Sequence, residues 1–346
     1  MRVSNFSALL RTSMDAESAL RLESILSLPA DIAAAWGPRV SRRVFTMALN
    51  AVLLHDLLRR VPSGAGYVND RVSNGGRLMF DHGAVRTVSL PGRTGCALLS
   101  GEHALARILV PLGYSVRGVY PLTKLRMTGR SYAHDDGDAD IPQFFVSELH
   151  ADQFPPEFQA AAERVFGSSR EPLSAVGQAL LQSFSERGEA DMTLACAGLP
   201  NLAGCFARQH DLPELADYEA LLAHSKEAAW MATEGNAFNH ATDRVADLEA
   251  VAEEQRRVGR RVKEHIEVSR SGRVRQTALR ADPVERLFRC ADGAIVYRQV
   301  PGSFFEFISR APLRTGAAEL DLGFDSSNAQ GIFRMTEAAP VQVVAN

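Results

Sequence analysis

Asp81-His82-Gly83-Ala84-Val85-Arg86 and Asn239-His240-Ala241-Thr242-Asp243-Arg244 carry the same small signature, a histidine four residues before an arginine. Each copy is followed at nearly the same distance by a Phe-Phe pair, Phe144-Phe145 after His82 and Phe304-Phe305 after His240. The second pair runs straight into Glu306. A unit written twice in this way predicts a duplicated module, and two such modules facing one another would bring two imidazoles and a carboxylate to one metal ion.

The sequence around the first copy reads as strand, helix, strand. Arg77 to Val88 is strand-like and contains His82, a helix follows from about Glu102 to Leu112 and stops at Gly113, and Tyr114 to Tyr120 is the next strand. Beyond a polar stretch, Gln143 to Leu149 is strand again. The order recurs from Asn236: a strand through His240 to Val245, a helix from Asp247 to about Val258, then strands at Glu264–Ser269, Val274–Leu279 and Ala294–Tyr297 before Ser303–Ile308. These patterns predict an α+β fold with two βαβββ modules, residues 71–150 and 236–337, around a shared cleft.

Residues 1–70 form a helical N-terminal region, in which Pro62-Ser-Gly-Ala-Gly66 reads as a break. Residues 151–235 are a helical insertion that either roofs the cleft or packs on a sheet's outer face. Residues 338–346 read as a frayed tail.

The composition narrows the function classes. The 346 residues are 46% hydrophobic and 23% charged, ordinary for a globular protein. A formal charge of −3 offers no broad basic surface to a nucleic acid. The basic run from Arg256 to Lys263 reads as the solvated end of a helix. Cys96, Cys196, Cys205 and Cys290 form no C-x-x-C pair, which fits a reducing cytoplasm. The first 28 residues scatter charges among apolar positions and read as neither signal peptide nor membrane span. The sequence sets no oligomeric state.

Residues two or four apart on a strand share a face, so His82 points with Arg86 and His240 with Arg244. Glu306 interrupts an apolar run expected in a buried strand, where a carboxylate must take up a proton or find a cation. A divalent metal satisfies it, and so does an arginine such as Arg310 or Arg244. In the first module Val146 stands at the aligned place, with Glu148 two residues on. Gln276 either faces the pocket with Val274 and Ala278 or lies exposed beside inward-facing Arg275 and Thr277. Asp135-Asp-Gly-Asp-Ala-Asp140 lacks the spacing and terminal glutamate of a calcium loop. His55, His103, His134, His150, His210, His224 and His265 share no recurring pattern.

Two neutral histidines and one glutamate leave half of a coordination sphere open, the ligand set of non-haem Fe(II) oxygenases. A 2-oxo acid fits there through its carboxylate and keto oxygens with a position left for dioxygen, and Arg86 is placed to clamp a second carboxylate.

The segments Asp81–Arg86, Phe144–Leu149, Gly235–Arg244, Val274–Leu279 and Pro301–Phe307 together resemble the 2-oxoadipate dioxygenase/decarboxylase family, over roughly residues 40–335. That family has a vicinal-oxygen-chelate (glyoxalase-like) core and is similar in chemistry to hydroxymandelate synthase. The resemblance implies that His82, His240 and Glu306 hold Fe(2+), that Arg86 contacts the oxo acid and completes the catalytic set, and that Ser327 touches substrate from a closing C-terminal segment. It implies an enzyme that takes a small 2-oxo acid and O2, converting 2-oxoadipate to 2-hydroxyglutarate and CO2, with neither nucleic acid nor membrane as partner. Two other readings stand beside it: a metal-dependent isomerase or hydrolase on the same core, and a small-anion-binding protein.

Overall fold

A computed structural model describes residues 3–90, 100–137, 139–314 and 319–325. The N-terminal region folds as α1 (Asn5–Leu10), α2 (Ala16–Ile25), α3 (Ala30–Ala34), β1 (Arg39–Ser41), α4 (Arg42–Arg60) and α5 (Pro62–Ser73). Asp15 caps α2 and Ser41 caps α4, each side chain accepting a backbone N–H that the first turn leaves unpaired. Pro62-Ser-Gly-Ala-Gly66 is not a break but the first turn of α5. Pro62 occupies the first helical position, where its missing N–H costs nothing. Gly64 lets that turn approach the Phe305 ring, which lies 3.1 Å from where a Cβ would stand.

The first module comprises β2 (Phe80–Ser89), α6 (His103–Leu109), β3 (Tyr114–Leu122), β4 (Met127–His134) and β5 (Gln143–His150). The insertion follows as α7 (Pro156–Phe166), α8 (Ala175–Arg187), β6 (Glu189–Asp191), α9 (Met192–Gly204), α10 (Leu215–Leu222) and α11 (Lys226–Glu234). The second module comprises β7 (His240–Arg244), α12 (Leu248–Arg257), β8 (Glu267–Val268), β9 (Val274–Ala278), then β10 (Pro283–Arg289) and β11 (Ile295–Pro301), and finally β12 (Phe304–Arg310).

One curled sheet of eight strands joins the modules, in the order β3-β4-β5-β2-β7-β12-β9-β8. The order reads as two mirrored halves: the first strand of each module (β2, β7) sits at the seam, and its last strand (β5, β12) returns parallel beside it. The seam is antiparallel, with His82 opposite Thr242 and Ala84 opposite His240. The expected α+β pair of βαβββ modules is therefore present, with one difference. The strand read at Ala294–Tyr297 belongs to β11, which pairs with β10 in a separate hairpin. One face of that hairpin, including Phe288 and Val300, packs with the residues over the cleft. The polar stretch before Gln143 holds β4, whose Gly129 leaves room for the Phe145 ring.

Both faces of the sheet are covered, so its central strands are buried throughout; β2 is buried from Phe80 to Val88. On one face Val85, Phe144, Val146, Ala241, Phe305 and Phe307 pack against α1, α4, α5 and α9. Burying each such phenylalanine contributes about 1.5–3 kcal/mol. On the other face Ala84, Val88, Phe145 and Leu149 meet Phe158, Trp230 and Met231. The insertion thus serves both of its expected roles: Phe184 of α8 and Leu199 of α9 join the outer cluster, while α7, α10 and α11 lie over the cleft.

Strand register also corrects the alignment of the two copies. His82 pairs with Gln143 and His240 with Phe304, so the counterpart of Glu306 is Phe145, not Val146. Of the acidic residues near Gly137, Asp136 is held by Arg42 and Asp140 by Arg43. Among the described residues no helix is long and apolar enough to cross a membrane. Cys196, Cys205 and Cys290 are free.

Gly83 lies on the outer face of β2, and a Cβ there would overlap the Phe238 ring. Gly83→Ala is expected to destabilise the protein by about 1–3 kcal/mol, as overpacking does. Urea unfolding measures this, and an unchanged midpoint would refute the close packing.

Candidate metal centre

β2, β7 and β12 are consecutive in the sheet, and on the cleft face, where the pattern of a covered strand calls for apolar residues, they present His82, His240 and Glu306. His82, His240 and Glu306 are 1%, 4% and 1% exposed. His82 Nε2 lies 3.8 Å from Glu306 Oε1 and His240 Nε2 lies 3.6 Å from Oε2. One ligand atom from each residue falls within 4.8 Å of the others. The His240 ring stacks on Phe304 at 4.8 Å, and the His82 ring meets Phe324 edge-on at 4.9 Å, so both imidazoles are held by aromatic walls.

Whether these residues fit a cation is decided by what they do not touch. Both Glu306 oxygens and His240 Nε2 are buried without a hydrogen-bond partner among the described residues. The two arginines that competed for Glu306 are engaged elsewhere: Arg310 and Arg244 both donate to Asp81. No described side chain therefore hydrogen-bonds the Glu306 carboxylate, and burial pushes its pKa well above the usual range, with Glu267 adding to the effect. Burial lowers both histidines, His240 the more strongly, which leaves their rings in the neutral, ligating form. The donor set suits a borderline divalent ion.

The nitrogens that face away from the centre are also occupied. His82 Nδ1 donates to Asp81 Oδ1 at 2.9 Å, while its Nε2, the nitrogen that faces Glu306, also lies 3.1 Å from Thr242 Oγ1. The side-chain amide of Asn239 lies 3.2 Å from His240 Nδ1. Both residues stand in the repeated signature, immediately before each histidine, as Asp81-His82 and Asn239-His240; that shared offset was the available signal for them.

Arg86 lies two residue pairs along β2 from His82, on the same face and fully buried. Its guanidinium carbon sits 5.1 Å from the centre of the Trp230 ring on α11. Burial brings its pKa down to about 10, with Glu227 acting in the opposite sense. Its charge is felt at His240. Gln276 is buried on the cleft face, opposite Ile308 and one pair beyond the Ala278–Glu306 position, where it donates to Glu267 at 3.3 Å. Ser327 lies outside the described residues. The other histidines serve elsewhere: His134 bonds Leu112 O, His210 bonds Ala232 O, and His150 bonds Thr128.

The sequence profile of the 2-oxoadipate dioxygenase/decarboxylase family matches residues 55–330. A 2-oxoadipate dioxygenase/decarboxylase of Oryza sativa subsp. japonica is 25% identical over 293 residues, spanning 77% of this chain and 71% of its own. The crystal structure of a protein described as a putative glyoxalase superfamily member, from Ralstonia eutropha JMP134, is 47% identical, covers 93% of this chain and 98% of its own, and superposes with a TM-score of 0.88. The hydroxyglutarate synthase of Oryza sativa, solved with 2-oxoadipate, shares the fold at a TM-score of 0.66, with 20% identity over 88% of this chain and 96% of its own.

Because no described group satisfies Glu306, the isosteric Glu306→Gln should not destabilise the metal-free protein. In chelator its melting temperature is expected to equal or exceed that of the wild type. The gain of about 2.7 kcal/mol that a divalent ion at 100 times its Kd confers should vanish. Calorimetry with and without Zn2+ reads both, and retained stabilisation by metal would overturn the ligand assignment.

Proposed function

The chain belongs to the 2-oxoadipate dioxygenase/decarboxylase family, and from that premise we propose that it is an Fe(II)-dependent dioxygenase acting on a 2-oxo dicarboxylic acid, 2-oxoadipate above all. The reaction balances as one 2-oxoadipate and one O2 giving one 2-hydroxyglutarate and one CO2, with the two oxygen atoms of O2 kept in the organic product. The observation that carries this reading is the buried His82–His240–Glu306 set, whose carboxylate has no hydrogen-bond partner among the described residues. Support for the substrate comes from the rice hydroxyglutarate synthase, which was crystallised with 2-oxoadipate.

A ferrous ion in this site would supply dioxygen activation and polarise a chelated keto acid, with three protein ligands leaving positions open for both. The chain's own residues do the rest. Glu306 contributes the one negative charge that, with two neutral imidazoles, leaves the ion a net positive charge to attract a dianionic acid. Arg86 supplies a planar pair of donors for the distal carboxylate, an interaction worth on the order of 1.5–3 kcal/mol. Trp230 backs the guanidinium and fixes where that carboxylate ends. Phe145, Phe304 and Phe324 wall the cleft and keep water from the reacting carbons.

Protein loaded anaerobically with Fe(II) and given 2-oxoadipate is expected, on admission of air, to consume O2 and release CO2 in equal amounts, followed with an oxygen electrode and by CO2 capture. No uptake with any 2-oxo acid would refute the dioxygenase and leave the isomerase or hydrolase reading. Arg86→Met, which keeps the volume and loses the fork, is expected to raise KM for the diacid by roughly 10- to 100-fold while sparing a 2-oxo monoacid. An equal effect on both acids would deny the clamp.

Because burial keeps Glu306 protonated well above the usual carboxylate range, an incoming ion must displace that proton. Metal affinity is therefore expected to fall, and proton release on Zn2+ binding to grow, as pH is lowered through the range in which this carboxyl titrates. Titration calorimetry in two buffers of different ionisation enthalpy measures the release; none would mean that the carboxylate is already ionised.

A further inference from the structure

Each ligand histidine is preceded by a residue that meets its Nδ1, but the two partners differ in charge. Asn239 presents a neutral amide to His240. The amide nitrogen is the end that lies against Nδ1, and the carbonyl end has no hydrogen-bond partner among the described residues; exchanging the two ends of the amide would let the carbonyl accept the Nδ1–H and leave Nε2 free for an ion. Asp81 presents a carboxylate to His82, and that carboxylate is itself gripped. Arg310 donates to it through Nε at 2.9 and 3.1 Å and through Nη2 at 2.8 Å, and Arg244 donates through Nε at 2.9 Å. The guanidiniums are anchored in turn: Arg310 Nη1 to the carbonyls of Asp321 and Gly323, and Arg244 Nη2 to that of Ala139. Asp81 and the Arg310 side chain are fully buried.

A carboxylate held between two guanidiniums stays an anion, and an anion 2.9 Å from Nδ1 requires a proton on that nitrogen. In a neutral ring the proton then cannot sit on Nε2, the atom that faces Glu306. A charged partner also makes the ring a stronger donor to a metal than a neutral one does. We propose that Asp81, clamped by Arg310 and Arg244, is a positioning residue that locks His82 in its Nδ1–H form and makes it the stronger of the two histidine ligands, with Asn239 as the weaker, neutral counterpart at His240. The inference rests on reading the cleft as a metal centre. It also accounts for Arg244, because the arginine of the second signature serves the histidine of the first, across the β2–β7 seam.

The test begins with the metal-free wild-type protein, so that it does not depend on a variant folding. Long-range 1H–15N correlation spectra of 15N-histidine-labelled protein should show His82 as the Nδ1–H tautomer alone; an Nε2–H form or a mixture overturns the proposal. Zn2+ affinity is then compared among variants whose spectra show a native fold. Asp81→Asn is expected to weaken binding roughly 10- to 100-fold, and Asn239→Ala less than about 10-fold. Unchanged affinity in Asp81→Asn, or a larger loss at Asn239 than at Asp81, defeats the positioning role. If the wild type binds no metal, or binds it no better than His82→Ala does, the metal reading itself is what fails.

Discussion

Burying a carboxylate on a strand covered from both sides costs several kcal/mol unless a proton or a cation comes with it. Glu306 is in that position, and the protein commits no arginine to it although two lie close by. Both are drawn off by Asp81, one residue before a ligand histidine. The charge arithmetic around the cleft follows from this division. One carboxylate is saturated by guanidiniums and orients an imidazole, while the other is left bare for an ion. Exchanging the two would give a well-paired core with nothing to bind.

Duplication supplies the frame in which that division works. Two βαβββ halves meet at an antiparallel seam centred on the Gly83–Ala241 pair, so that His82 stands against Thr242 and Ala84 against His240. A fully symmetric pair would place a second carboxylate at the counterpart of Glu306, and four inward ligands would leave only two of six positions, too few for a chelated keto acid and dioxygen together. Phe145 stands there instead, and its ring packs against Phe324. Similarly, Arg86 and Arg244 hold the same place in their signatures but have parted: Arg86 lies over Trp230, and Arg244 crosses the seam to Asp81. Half of the site is built from what the two copies share, and the other half from where they diverge.

The two modules and the His82–His240–Glu306 set were legible in the sequence because each of the three is a polar residue interrupting an apolar run, the strongest local anomaly a covered strand can show. What escaped was either locally ordinary or set by distant chain. β4 carries Thr128, Gly129, Arg130 and Ser131 and reads as a loop until a neighbouring phenylalanine needs the space. β10 alternates charged and apolar residues as an exposed hairpin does, and only its inner face takes part in the cleft cluster. Pro62 and two glycines resemble a break, yet the proline begins a helix and Gly64 admits Phe305. The Phe-Phe pairs suggested an alignment one residue off, since hydrogen-bond register, not aromatic content, fixes which residues are equivalent. Asp81 stood in the signature from the start, but its meaning depends on Arg310, which arrives more than two hundred residues later.

The three residues of the candidate metal centre are spread widely along the chain. His82 and His240 belong to different halves, and Glu306 sits on the strand laid between β7 and β9. No two of the three are near neighbours in sequence, so no fragment shorter than most of the chain holds the complete set. During synthesis the set cannot be complete until β12 has docked, and closing loops of such length carries an entropic cost that local contacts do not. An ion held by this set would load only on a finished fold and, once bound, would tie both halves together against the opening of either one alone.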